Sequence, residues 1–159
     1  MSFLAMSRLL RSFRYCLRTT PLLLLAPLAF ASLGGDLNSV MTDQIHFQGS
    51  VKATEQTSFT VHEIHPQTGI VIREYVSPAG KVFAISWHGP WMPDMRQLLG
   101  SYFQQYSDGI KAQAALGRRF IRIVQPDFVF QHGGHMRSYA GRAYLPQLLP
   151  AGVTAEDIQ

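Results

Sequence analysis

Three consecutive segments rich in β-branched and aromatic residues constrain the fold of this chain most strongly. They cover residues 58–65, 70–77 and 81–88, and turn sequences at 66–69 (PQTG) and 78–80 (PAG) separate them. Proline and glycine in connections of this length favour tight turns between strands. The pattern therefore predicts a three-strand antiparallel meander.

The third of these segments alternates most clearly between large and small side chains. Phe83, Ile85 and Trp87 fall on one face of an ideal strand, since successive side chains point to opposite sides of a sheet. The opposite face would carry smaller or polar side chains, and it consists of Val82, Ala84, Ser86 and His88. We expect the first face to be the core face and the second to be packed more lightly.

Two helices are predicted around the meander. Apolar residues at helical spacing between Asp36, a suitable N-cap, and Gly49 predict a short N-terminal helix. A longer helix is predicted to begin near Pro93, to fray near Gly109 and to end by Gly117. Its apolar side chains form one stripe that would pack on the sheet, and they are Met95, Leu98, Leu99, Tyr102, Phe103, Tyr106 and Ile110.

Further extended segments follow the second helix. Residues 120–124 and 128–131 read as strands, 135–145 as a last strand interrupted at Gly141, and the chain after Pro146 as coil. The predicted fold is α+β: an antiparallel sheet of about five strands, a long amphipathic helix packed on one face, and a short N-terminal helix.

The N-terminal residues have the layout of a secretory signal peptide. The apolar run at residues 21–31 would span only about 16 Å as a helix, against about 30 Å for a hydrocarbon core. Four arginines and no acidic residue precede it, and Ala29 and Ala31 supply small side chains at the −3 and −1 positions of a cut. We therefore predict cleavage after Ala31 and a periplasmic or secreted protein.

Two other uses of this segment fit less well. A retained membrane anchor would need a longer apolar run, and a lipoprotein would need a cysteine directly after the run, whereas Cys16 precedes it. We expect residues 32–159 to form a single domain with neither a transmembrane span nor a lipid anchor.

Removal of the signal peptide changes the charge and cysteine content. The chain has 14 basic and 10 acidic residues, and four of the arginines are lost with residues 1–31, which leaves 10 of each sign. A neutral domain gives no support to nucleic-acid binding. No disulfide is expected, because the only cysteine is Cys16.

The six histidines are the first candidates for metal binding. His62 and His65 are three residues apart in a predicted strand, so their rings would point to opposite faces. His132 and His135 flank two glycines that let the backbone turn, and both rings could converge if a third donor, His88, His46 or Glu74, approached. The alternative is a glycine turn flanked by exposed histidines. No cofactor is specified by this pattern.

Motifs of nucleophilic catalysis are not found in the sequence. It has no Gly-x-Ser-x-Gly elbow, and Glu63 and Glu74 are expected to form surface pairs with Arg73 rather than a catalytic carboxylate pair. We therefore name no catalytic residue and favour a non-enzymatic protein.

Two stretches could contact a ligand or a partner. Trp87 and Trp91 bracket His88 and could line a groove, or they could simply fix a strand-to-helix corner to the core. Arg137 and Arg142 lie in the stretch GGHMRSYAGRAY, which is either functional or a tightly turned strand.

Long stretches of the chain resemble the exported proteobacterial family of domain of unknown function 2844. They are REYVSPAGKVF at 73–83, WHGPWMPDMRQLLGSYF at 87–103 and GGHMRSYAGRAYLPQLLP at 133–150, with ASLGGDL at the predicted cut. The resemblance implies an exported protein and assigns no catalytic residue. Our leading hypothesis is an envelope protein that binds a partner protein or an apolar ligand through the sheet and the Trp91 corner. The alternative is a metal-binding protein that uses His132 and His135.

Overall fold

The computed structural model describes residues 33–113 and 120–159. The predicted signal peptide and the predicted helix end at Gly117 lie outside these residues. The described residues form an antiparallel sheet with helices on one face, which confirms the predicted α+β class.

Within the described residues the sheet has seven strands rather than about five. They are β1 (Ser50–Glu55), β2 (Thr60–His65), β3 (Val71–Val76), β4 (Val82–Gly89), β5 (Phe120–Val124), β6 (Val129–His135) and β7 (Ser138–Tyr144). The order across the sheet is β1-β2-β3-β4-β7-β6-β5, and all neighbours are antiparallel. Strands β2 to β4 are the predicted meander, which is confirmed, and β7 runs through Gly141 without the predicted interruption.

Strand β1 is the strand that the sequence did not predict. It is an edge strand, and every side chain in it except that of Val51 is exposed. With so little apolar surface it has no alternating pattern to detect. Its position is set by its pairing with β2 along the whole length of both strands.

Strand β4 contains a bulge that changes which of its side chains share a face. Val82 and Ala84 pair with adjacent residues of β3, so Phe83 is an extra residue between them. Phe83 consequently packs with Ala84, whereas Ile85 and Trp87 belong to the core beneath the helices. The predicted grouping of Phe83 with Ile85 and Trp87 is therefore wrong.

The short N-terminal helix is confirmed as α1 (Leu37–Phe47). Asp36 caps its first turn by accepting hydrogen bonds from the backbone N–H groups of Asn38 and Ser39. Gln48, in the left-handed conformation, caps its last turn.

The apolar residues that predicted α1 mostly face outward. Leu37, Met41 and Ile45 are exposed, while the buried residues of the helix are Ser39, Val40 and Asp43. Helical spacing thus identified the helix but not the side that packs on the sheet.

The predicted long helix is divided at Gly100. It consists of α2 (Met95–Leu99), a 3-10 turn (Gly100–Tyr102) and α3 (Phe103–Ala112). Asp94, rather than Pro93, begins it as the N-cap of α2, and Gly100 ends α2 with a positive φ of 50°. The predicted apolar stripe packs on the sheet on both sides of this break. Among the described residues, no helix is long and apolar enough to cross a membrane.

The C-terminal segment, residues 146–159, covers the sheet face opposite the helices. It was predicted as coil, but it contains two 3-10 turns, Pro146–Leu148 and Ala155–Asp157. Ile158 is buried in a second small core with Tyr75 and Phe83. The main-chain oxygen of Gln159 accepts hydrogen bonds from the hydroxyl groups of Tyr75, at 2.6 Å, and Ser86, at 2.7 Å. Both faces of the sheet therefore carry packed layers.

Candidate functional site

An open groove of about 510 Å³ lies at the corner where β4 leads into α2. Its walls come from the end of α1, from the β2–β3 turn and from the residues that precede α2. Trp91 is 58% exposed in this groove, in contrast to Trp87, which is 2% exposed and belongs to the core. Phe47, Pro66 and Met92 supply apolar wall beside Trp91. We call this feature the Trp91 groove.

Close backbone packing fixes the position of the corner. A side chain at Gly89 would place its Cβ only 2.8 Å from the Cα of Ile70, so the chain can pass there only without one. A Cβ atom added at Gly69 would lie 3.8 Å from the Pro90 ring, so Pro90 packs beside this glycine. The segment that carries Trp91 therefore rests directly on the β2–β3 turn.

The ionisable groups of the Trp91 groove form a pair. His46 Nε2 lies 3.5 Å from Asp94 Oδ2. The other oxygen of Asp94 accepts hydrogen bonds from the backbone N–H groups of Arg96, at 2.9 Å, and Gln97, at 3.2 Å. Asp94 is thus held in place as a helix cap and faces a histidine, so these two side chains bring to the groove at most the single negative charge of Asp94.

Three uncharged polar side chains at the groove have unused hydrogen-bonding capacity. Gln48, Gln67 and Thr68 line it and are exposed. None of their side chains makes a hydrogen bond to another residue in the described ranges 33–113 and 120–159. Two amides and a hydroxyl group therefore remain available to a ligand.

A second groove of about 290 Å³ lies on the opposite face of the sheet. His88, Phe120 and Arg142 border it. The Arg142 guanidinium is already engaged, because it donates hydrogen bonds to Gln131 Oε1, at 2.8 Å, and to the backbone carbonyl oxygens of Ala155 and Ile158. Arg142 thus holds the C-terminal segment against the sheet.

The structure does not bring the predicted contact residues together. Trp91 lies in the first groove, and His88 and Arg142 border the second. Trp87 also borders the second groove but is buried, and Arg137 occupies the β6–β7 turn with a positive φ of 64°. Only Trp91 presents a large exposed aromatic surface among the five.

His132 and His135 do not converge. They lie three residues apart in β6, and their side chains point to opposite faces of the strand. His132 is buried and stacked between Trp87 and Tyr139, with ring centroids 6.3 and 5.9 Å away, and burial lowers its pKa while a contact with the Ala140 backbone opposes that shift. His135 is exposed.

Other donors do not complete a metal site around these histidines. Across residues 33–113 and 120–159, no group of three or more His, Cys, Asp or Glu side chains is placed to hold a metal ion. The third donors considered from the sequence, His46, His88 and Glu74, therefore form no such group with His132 or His135.

Comparison with known proteins gives one family. The model of a family described as "Protein of unknown function (DUF2844)" matches residues 29–158, which is most of the chain. The chain belongs to the DUF2844 family. No curated protein and no solved structure is significantly similar to it. The family resemblance is thus confirmed, and the site of this DUF2844 protein has to be argued from its own geometry.

Most of the Trp91 groove could not be predicted from the sequence. Its polar residues come from three segments that lie far apart in the chain, the end of α1, the β2–β3 turn and the start of α2. The local signal was limited to a turn sequence and a tryptophan between two prolines. Their juxtaposition follows from the packing of α1 on the sheet, which no short motif encodes.

The sequence also gave no indication of a buried pair of carboxyl groups in this DUF2844 protein. Asp43 of α1 and Glu74 of β3 are each 1% exposed and lie close enough to shift the pKa of one another. Asp43 Oδ1 accepts a hydrogen bond from Gln97 Nε2 at 2.8 Å. As ionised groups, Asp43 Oδ2 and both oxygens of Glu74 have no hydrogen-bond donor among the described residues, so a hydrogen bond between the two side chains requires a proton on one of them.

Burial is the main cause of the unusual ionisation of this pair. It raises the pKa of Glu74 well above its ordinary value, and the adjacent Asp43 carboxyl raises it further. Burial also raises the pKa of Asp43, although contacts with Glu74 and Gln97 oppose that shift. The expectation that Glu74 forms a surface pair is therefore wrong, whereas Glu63 does pair with Arg73, at 2.5 Å.

Proposed function

We propose that this DUF2844 protein is an exported, non-enzymatic binding protein of the cell envelope that takes its ligand or partner in the Trp91 groove. The observation that carries the proposal is the exposure of the Trp91 indole within a concave site whose backbone is fixed by close packing. Exposed tryptophan side chains contribute much of the binding energy where they occur in binding sites, because they bury a large rigid surface at little cost in entropy.

Support for export comes from the N-terminal sequence. Four arginines, an apolar run too short to span a bilayer and small residues at the expected cleavage positions have the order that signal peptidase substrates share. This order predicts that the domain works outside the cytoplasm, where it would meet envelope components.

Support for binding rather than catalysis comes from the state of the polar groups. Asp94 uses one oxygen to cap α2 and directs the other to His46. Arg142, in the second groove, is engaged with the C-terminal segment. The remaining polar side chains of the Trp91 groove are amides and a hydroxyl group, which suit recognition by hydrogen bonds.

Capture from the envelope fraction of the source cells tests the proposal. Protein produced from the full-length chain and immobilised should enrich a reproducible component, and Trp91→Ala should reduce its recovery by about tenfold or more. Phe120→Ala is the matched control, since Phe120 is also a large exposed aromatic residue but borders the other groove. Equal recovery by the Trp91→Ala variant, or no enrichment over an unrelated exported protein, would contradict the proposal.

A further inference from the structure

We infer that the ligand of the Trp91 groove is a neutral saccharide. The inference rests on the proposed function of the groove and adds the chemical class of what it holds. It combines three properties of the groove: a stacking surface, adjacent uncharged hydrogen-bonding groups and the absence of a dominant charge among its described residues.

The stacking surface is the Trp91 indole. Sugar rings have an apolar face of C–H groups, and a planar aromatic face with partial negative charge complements it. More than half of the Trp91 surface is exposed, and Phe47, Met92 and Pro66 extend an apolar floor beside it. The close contacts of Gly89 and Pro90 with the β2–β3 turn fix the backbone from which the ring projects, which lowers the cost of ordering it on binding.

The hydrogen-bonding groups match the hydroxyl groups that edge a sugar ring. The amides of Gln48 and Gln67 each offer both donors and acceptors, and the hydroxyl group of Thr68 offers both as well. A ligand that presents several hydroxyl groups around an apolar ring can satisfy all three side chains while it stacks on Trp91. A purely apolar ligand would instead leave these groups without partners.

The charge of the groove favours a neutral ligand. Its two ionisable side chains, His46 and Asp94, lie 3.5 Å apart. The histidine can carry only a positive charge and the aspartate only a negative one. Among the described residues that line the groove there is neither arginine nor lysine, so an anionic polymer would find no permanently cationic side chain among them.

The shape of the groove favours a small ring rather than a protein surface. Its volume of about 510 Å³ is within the range of small-molecule sites, about 300–1,000 Å³. The exposed aliphatic side chains that would serve a protein interface, Leu37, Met41 and Ile45, are on α1 but do not line the groove.

The first experiment measures how efficiently acrylamide quenches the tryptophan fluorescence of the protein produced from the full-length chain. The chain has two tryptophans, and only Trp91 is exposed to the quencher. An envelope fraction should protect Trp91 from quenching. Pretreatment of the fraction with periodate, which cleaves the vicinal diols of sugars, should abolish that protection. Protease treatment of the fraction should leave the protection intact.

These outcomes separate the inference from the proposed function. Protection that survives periodate but not protease would overturn the saccharide and leave the groove as a binding site for a protein. Protection that survives both treatments would overturn the saccharide in favour of an apolar ligand. The absence of any protection would overturn both the inference and the proposed function.

The second experiment identifies the sugar by calorimetric titration with oligomers of glucose (α- and β-linked) and of N-acetylglucosamine, and with polygalacturonate as the anionic comparison. For the neutral oligomer that binds, we expect Trp91→Ala to weaken the affinity about tenfold or more, and Gln67→Ala about three- to tenfold. Phe120→Ala should bind like the original protein. Tighter binding of polygalacturonate than of every neutral oligomer would overturn the neutral class.

Discussion

Glu74 is the residue whose environment differs most from what its type would suggest. A carboxylate in the middle of a strand next to arginine is usually exposed, yet Glu74 points into the helix-covered core, opposite His62 in β2 and near Asp43 of α1. Two buried carboxyl groups so close cannot both be ionised at low cost, so the pair holds a proton. Strand alternation decides this placement, because Arg73 and Glu63 take the opposite face and pair there.

The raised pKa of Glu74 has a definite consequence for stability. The folded protein keeps a proton that the unfolded chain releases above its ordinary pKa of 4.5. The stabilisation by this proton is therefore complete below pH 4.5 and is lost as the pH rises toward the folded-state pKa. The raised pKa of Asp43 acts in the same direction.

We predict that Glu74→Gln makes the protein more stable at neutral pH, by about 1–2 kcal/mol. The amide replaces the protonated acid without a proton to lose, so the free energy of unfolding should fall less steeply between pH 4.5 and pH 8 than in the original protein. Urea unfolding at several pH values measures this slope. Glu63→Gln, on the exposed side of the neighbouring strand, is the control. Parallel curves of unfolding free energy against pH for Glu74→Gln and the original protein would show that Glu74 is ionised in the fold.

At the scale of elements, periodicity and turn chemistry identified the features that carry their own pattern. Strands β2 to β4, the two turns between them and the helices were predicted because their residues repeat at strand or helix spacing. Strand β1 and the inward side of α1 were not predicted, because β1 has little apolar surface and α1 buries Asp43 while exposing Met41. The pairing of β1 with β2 and the packing of α1 on the sheet determine these two features.

The C-terminal segment is the element whose role the sequence concealed most. Coil is predicted after Pro146, yet Ile158 is 1% exposed and Arg142 donates hydrogen bonds to the segment's backbone. Short 3-10 turns have no long periodicity from which to predict packing. Ile158 of this segment supplies part of the apolar cover of Tyr75 and Phe83, and Phe59, which precedes β2, supplies another part.

We predict that Ile158→Ala destabilises the protein by about 2–4 kcal/mol, because it leaves a cavity between the segment and the sheet. Leu148→Ala, in the same segment but with a partly exposed side chain, should cost less than about 1 kcal/mol. Urea denaturation of both variants measures the difference. Similar small losses for both would mean that the segment does not contribute to the stable core.

At the scale of the whole molecule, one sheet separates two different environments. The helix-covered face holds the main core and, at its border, the Trp91 groove, whereas the C-terminal segment covers the other face and leaves the smaller groove beside Arg142. The sequence pointed to Trp91 but not to Gln48, Gln67 or Thr68, because these residues meet only when α1 and the β2–β3 turn pack around the corner.

We predict that the protein in the envelope begins at Ser32. Its intact mass should match residues 32–159, and it should contain no thiol, since Cys16 is the only cysteine of the chain. Mass spectrometry of protein purified from exporting cells measures this directly. Ala31→Lys, which places a large charged side chain at the −1 position, should block the cut. A mass that includes Cys16 in the unmodified protein would contradict export through a cleaved signal.

The NMR spectrum of the two indole N–H groups shows directly whether Trp91 contacts a ligand. The chain has two tryptophans, so the spectrum of ¹⁵N-labelled protein should contain two indole signals, one from buried Trp87 and one from exposed Trp91. On addition of a soluble envelope extract, we predict that the Trp91 signal shifts in a saturable way while the Trp87 signal stays in place. An unchanged Trp91 signal, in an extract whose components the protein nevertheless captures, would contradict the assignment of the groove as the binding site.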